Sequence, residues 1–208
     1  MVRKGSVTYQ FKPTLTMKHI IFSILDRFKT TSEGQMVFRG TYNEGKAVYS
    51  YIPSEEDGHH IFNGSFMIRY QYGRGKYAKA KGSYKNDVKQ GHWEFIRHGF
   101  TTSRSLSADF VDGQIEGTLE CMYKKEGVSW IDNSKFQLTV HQGKITGDVK
   151  GILNNKEIPA NFRDDPKLVC ELEFILDEVV SVLLSLAPKG HMLHVFSFPN
   201  DTTPLSLK

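Results

Sequence analysis

Histidines and carboxylates gather at a few places where a metal ion could bind or a proton could move. His59-His60 follow Glu55-Glu56-Asp57, His92 and His98 lie close together, and His191 and His194 sit just past Gly190. A structural zinc site asks for four ligands at fixed spacing, commonly with a cysteine pair. The two cysteines, Cys121 and Cys170, are 49 residues apart and belong to no C-x-x-C, so they read as separate small apolar side chains. The histidines therefore read as loop and sheet-surface residues. Gly73-Arg74-Gly75-Lys76-Tyr77-Ala78 fits G-x-G-x-x-A, but a dinucleotide fingerprint must open a helix, and Lys79-Ala80-Lys81-Gly82-Ser83-Tyr84 continues as strand sequence. No G-x-x-x-x-G-K-[ST], H-E-x-x-H or G-x-S-x-G is present. The expectation is a non-enzymatic chain with no catalytic residue, cofactor or metal ligand. A hydrolase would require a deep pocket with converging histidine and carboxylate groups.

Binding chemistry is more visible than catalysis. From Ile61 to Arg104 there are nine Lys/Arg and two acids, Asp87 and Glu94, a net charge of +7 in a chain whose total is +4. Arg69, Arg74, Lys76, Lys79, Lys81, Lys85, Lys89 and Arg97 are the candidate surface for an anion or a partner. Phe62, Phe66, Tyr70, Tyr72, Tyr77, Tyr84, Trp93 and Phe95 are interleaved with them. Such a mixture can hold single-stranded nucleic acid or anionic lipid headgroups. In a sheet, the same alternation places the rings on a covered face and the lysines on a solvated one.

Three kinds of sequence must position these residues. Residues 14 to 29 place Met17, Ile20, Ile21, Ile24, Leu25 and Phe28 on one stripe of an amphipathic helix within an N-terminal cap, residues 1–33. Residues 34–160 are glycine-rich and alternate aromatic or β-branched with polar residues, which predicts β-hairpins. Asp164-Asp165-Pro166 opens a second helix, whose apolar stripe runs from Leu168 to Leu184 and could dock within the chain or mediate a homodimer. A short strand, residues 194–198, completes a C-terminal unit over 161–199, and a mobile tail is expected over 200–208.

Within the β region one pattern recurs. Seven residues after Tyr84 stands Gly91, followed by Trp93 and Phe95; seven after Phe110 stands Gly117, followed by Leu119 and Cys121; seven after Val140 stands Gly147. Phe66 has Gly73 at the same distance, and Tyr42 has Gly45 three residues on. Asn86-Asp87, Asp112-Gly113 and Gln142-Gly143 fall where a tight turn would reverse the chain. Each unit thus predicts two short strands with the glycine leaving room beneath a ring, so that rings form a ladder along an elongated sheet. The segment from Gly82 to Phe95 resembles a MORN repeat, in particular the bacterial antitoxin-like variant, and Asp109 to Tyr123 is similar; the likeness covers roughly residues 38 to 151. It implies a mainly β fold, an extended antiparallel hairpin sheet that serves as a protein or lipid contact surface, and it supplies no catalytic residues.

The chain's 208 residues suffice for a sizeable core without a disulfide framework. Its mixed charge argues against disorder and against a polybasic tail. No secretory signal follows Met1, and acids interrupt the most apolar window, Leu168 to Leu186, so a cytoplasmic chain without a membrane span is expected. The function expected is a protein-binding or scaffold module; the alternative is a peripheral binder of anionic lipid or nucleic acid through residues 61–104.

Overall fold

The computed structural model describes residues 35–54, 59–127, 129, 131–142 and 144–187. Ten strands follow one another in a single antiparallel sheet whose spatial order is the chain order. They are β1 (Met36–Tyr42), β2 (Gly45–Pro53), β3 (His60–Gly73), β4 (Lys76–Lys85), β5 (Val88–His98), β6 (Thr102–Val111), β7 (Gln114–Glu126), β8 (Ile131–His141), β9 (Lys144–Leu153) and β10 (Lys156–Glu157). A short 3-10 turn, Phe162–Asp164, leads into helix α1 (Pro166–Leu184). The mainly β fold and the C-terminal helix agree with the sequence. The expected N-terminal helix at 14–29, the strand at 194–198 and the tail lie outside the described residues.

Tight turns set the strand boundaries. Asn43-Glu44, Asn86-Asp87, Asp112-Gly113 and Asn154-Asn155 all have positive φ at both central positions, the backbone that matches the twist of two-residue hairpins. The turns also lock each hairpin to the previous one. Asp87, Gly113 and Asn155 donate their N–H groups to the carbonyls of Phe62, Lys89 and Asn133, at 2.8 to 2.9 Å.

A glycine kink recurs in the second strand of four successive pairs. In β4–β5 the register passes from Lys81↔Glu94 to Ser83↔Gln90, so Gly82 alone faces Gly91, His92 and Trp93. Gly91 has φ +64, a conformation costly for a residue with a Cβ. Gly64, Gly117 and Gly147 mark the equivalent breaks in β2–β3, β6–β7 and β8–β9. This revises one expected unit. Phe66 and Gly73 lie in the same strand, β3, and Phe66 occupies the position of Trp93, two residues after the kink glycine. Tyr42 is the last residue of β1, beside its turn, and β1–β2 pair without a break, consistent with the missing second glycine there.

The predicted ring ladder is present on one face. Phe38 stacks on Tyr49 at 4.8 Å, Tyr49 meets Phe62 at 4.7 Å, Phe62 meets Tyr84 at 5.2 Å, Tyr84 meets Trp93 at 5.0 Å and Trp93 meets Phe110 at 6.2 Å between centroids. Beyond Phe110 the same face is largely aliphatic, with Ile115, Leu119, Leu138, Val140 and Ile145 buried beside Phe136. Helix α1 lies across β5, β6 and β7 on this side. Asp165 caps it, accepting from the N–H of Lys167 at 2.9 Å, and Pro166 fills the first turn where no donor is needed. Leu172, Ile175, Leu176, Val179, Val180 and Leu183 form its buried stripe. The stripe is thus used within the chain. Glu171 receives the Asn154 amide at one end of the helix, and the Leu186 carbonyl receives the Tyr70 hydroxyl at the other. Cys121 is buried and Cys170 exposed, both unbridged. No helix among the described residues is long and apolar enough to cross a membrane.

Candidate functional site: the open face of the sheet

Strand alternation sends the eight candidate cations to different places. Arg69, Lys79, Lys81 and Lys85 share the face opposite the ring ladder. Arg74 is in the β3–β4 turn, the segment that carries the G-x-G-x-x-A match. Lys76 and Arg97 point to the helix side, where Lys76 Nζ lies 5.1 Å from the Phe100 ring and the Arg97 guanidinium 5.5 Å from that of Tyr72. Lys89 is only 3% exposed. Its ammonium sits 5.6 and 5.7 Å from the Tyr84 and Trp93 rings, and burial pushes its pKa down to about 8. Arg104, at the same face's rim, pairs with Glu178 of α1 and lies over Tyr123. The run +7 in sequence is therefore not one patch in space.

The open face gains two cations from outside that segment. Arg39 of β1 and Lys46 of β2 lie on it. Lys46 is paired in register with Arg69 and Arg69 with Lys79, three adjacent strands about 4.8 Å apart. In the next row Arg39 stands opposite Val48, Val48 opposite Met67 and Met67 opposite Lys81. Met67 is 40% exposed. The result is a small apolar centre ringed by cations. Strands β1 to β4 contain seven Lys/Arg and no Asp or Glu. Their nearest acid in register is Glu94 of β5, opposite Lys81. Lys46, Lys79 and Lys81 make no ion pair among the described residues, and Arg69 lies over Tyr77 at 4.9 Å.

No family model, curated protein or solved structure matches the chain.

Beyond β4 the open face changes character. Histidine, serine and carboxylate alternate there: His92 bonds Asp109, His98 bonds Ser103, and His141 bonds Glu116. The Gln142 N–H, and after it His141, hold the Glu116 carboxyl below the usual glutamate range. Among the described residues no three potential metal ligands converge. His60 is an aromatic partner, stacked on Tyr51 at 3.8 Å and bonded through Nδ1 to the Tyr49 hydroxyl at 2.8 Å; Glu55, Glu56 and Asp57 lie outside the described residues. A cleft of about 350 Å3 opens between α1 and the β7–β8 strand ends, lined by Tyr123, Lys125, Cys170, Glu171 and Phe174 among others. No histidine lines it.

Arg39 and Lys46 escaped the sequence reading because a window along the chain ignores sheet neighbours. Residues 36 to 53 carry Arg39 and Lys46 against one acid, Glu44 in the turn, a local excess of positive charge that could have extended the window.

Proposed function

We propose that the chain is a non-enzymatic protein-binding module built from MORN-like β-hairpin repeats, and that the open face of β1–β4 docks an acidic surface of its partner. The observation that carries this reading is the cluster of Arg39, Lys46, Arg69, Lys79 and Lys81 around Val48 and Met67 on four strands without a carboxylate. A net positive field steers an anionic partner and sets its orientation. A small apolar centre with a charged rim is the arrangement of a protein contact. The recurring kink glycines support the family resemblance.

Anionic lipid or nucleic acid is the second reading, favoured by the same cations. Against the nucleic-acid version, Phe62, Phe66, Tyr84, Trp93 and Phe95 are buried and offer bases no stacking platform. The test is affinity capture from native lysate at low and high salt, comparing the natural chain with an Arg69→Glu/Lys79→Glu/Lys81→Glu variant. Phosphatidylserine vesicles and single-stranded DNA are run beside it. A protein retained at low salt and lost in the variant is the expected result. Capture unchanged by charge reversal overturns the proposal, and binding of vesicles or DNA alone transfers it to the second reading.

A further inference from the structure

Outside the basic patch, the open face holds one arrangement with the geometry of an activated nucleophile. His92 Nδ1 is 2.9 Å from Asp109 Oδ1, and His92 Nε2 is 3.1 Å from Ser107 Oγ. A carboxylate only accepts hydrogen bonds, so this network assigns the proton to Nδ1. Nε2 then keeps its lone pair and accepts the Ser107 hydroxyl. These are the roles of nucleophile, base and orienting carboxylate.

The core fixes this geometry. Ser107 and Asp109 are two apart on β6 and so share a face. His92 stands directly opposite Asp109, and the neighbouring register pair is Trp93↔Ala108, both fully buried. A slip of the β5–β6 register would expose Trp93, so the pairing that seats the indole also seats the imidazole. Both His92 and Asp109 side chains are more than half exposed, which leaves the group open to a reagent from solvent.

We propose that Ser107, with His92 as base and Asp109 as its positioning residue, is an acylation site that takes an acyl group from an activated ester or thioester. This inference is independent of the protein-binding reading. In the step, a bond forms from Ser107 Oγ to the acyl carbon and the carbon–oxygen or carbon–sulfur bond to the leaving group breaks. The serine proton passes to His92 Nε2 and from there to the departing oxygen or sulfur. No oxidant or reductant takes part. The His92 and Asp109 side chains are more than half exposed, so water and not a preorganised oxyanion hole solvates the charge that develops on the acyl oxygen. The chemistry is therefore a single acyl transfer to serine, without rapid turnover.

The experiment treats the full chain with p-nitrophenyl acetate and maps acetylated peptides by mass spectrometry. Ser107 is labelled faster than Ser105, which lies on the same strand and face but bonds no imidazole. His92→Ala and Asp109→Asn each slow labelling of Ser107, the former by about 100-fold, the scale of general-base assistance. Free imidazole restores labelling to His92→Ala. Urea midpoints of the variants, unchanged because the side chains are exposed, separate loss of activation from loss of fold. The proposal is overturned if Ser107 stays unlabelled, if it is labelled no faster than Ser105, or if His92→Ala leaves its rate unchanged.

Discussion

The indole of Trp93 lies flat on Gly82, so close that a Cβ at residue 82 would overlap its ring atoms. Trp93 is fully buried there, and its Nε1 donates to the Ser83 carbonyl at 3.1 Å. Glycine at 82 is thus a packing requirement set by the neighbouring strand. Gly82→Ala is expected to destabilise the chain by about 1–3 kcal/mol, the usual cost of overpacking. Trp93→Ala is expected to cost about 3–5 kcal/mol. Urea unfolding followed by fluorescence and circular dichroism measures both, and the double variant should cost less than the sum because the two residues touch.

Gly91→Ala tests the backbone rather than the packing. Nothing lies within 4 Å of a Cβ built at this position, yet its φ is +64. The expected loss is about 1–2 kcal/mol from left-handed strain alone, with Gly91→Asn less harmful than Gly91→Val. Equal losses for Asn and Val would mean that the conformation is not the cause.

Lys89 links stability to alkaline pH. Its folded pKa is lowered to about 8 from an ordinary value of 10.5. Between those values the unfolded chain binds more protons than the folded one, so stability rises with pH. Below the folded value the burial penalty is fully present. Above pH 10 Tyr49 and Tyr84, whose pKa values burial raises, act in the same sense as any group that keeps its proton in the fold: the unfolded chain loses protons first and stability falls. Urea midpoints should therefore climb from pH 8 to about pH 9, above which the buried Cys121 thiol, its pKa raised by burial from an ordinary 9.0, contributes the opposite slope. Lys89→Met should flatten the climb.

Arg104 and Glu178 tie α1 to the sheet. The Arg104 side chain is 12% exposed and its Nε has no hydrogen-bond partner, so removing the carboxylate leaves a poorly solvated cation. Glu178→Ala is expected to cost about 1–3 kcal/mol, more than loss of the exposed pair Lys124–Glu126, which water screens. Thermal melts of the two single variants compare them directly.

The hairpin with Tyr84, Gly91, Trp93 and Phe95 could be read from spacing because its turn, its kink and its rings are all local. Phe66 misled the count for a physical reason. A glycine seven residues after a ring marks a second strand only if a turn intervenes, and between Phe66 and Gly73 the chain stays extended. The basic segment was legible as charge and not as surface, since whether a lysine faces solvent depends on its parity against the apolar residues of its own strand. Lys79, Lys81 and Lys85 alternate with Ala78, Ala80 and Tyr84, whereas Lys89 and Arg97 share parity with Trp93 and Phe95. The Ser107–His92–Asp109 contact depends on the β5–β6 register, which the intervening loop, residues 99–101, does not announce in its composition.

Because strand order equals chain order, every strand forms its ladders only with its neighbours in the chain. A two-strand unit can then be duplicated or deleted without rerouting the backbone, and folding can spread outward from any completed hairpin. Helix α1 is the exception, since it returns from beyond β10 to cover β5–β7. Gain or loss of a hairpin between β7 and α1 would shift what the helix meets, whereas change at the β1 side would lengthen or shorten the basic face and leave the covered centre as it is.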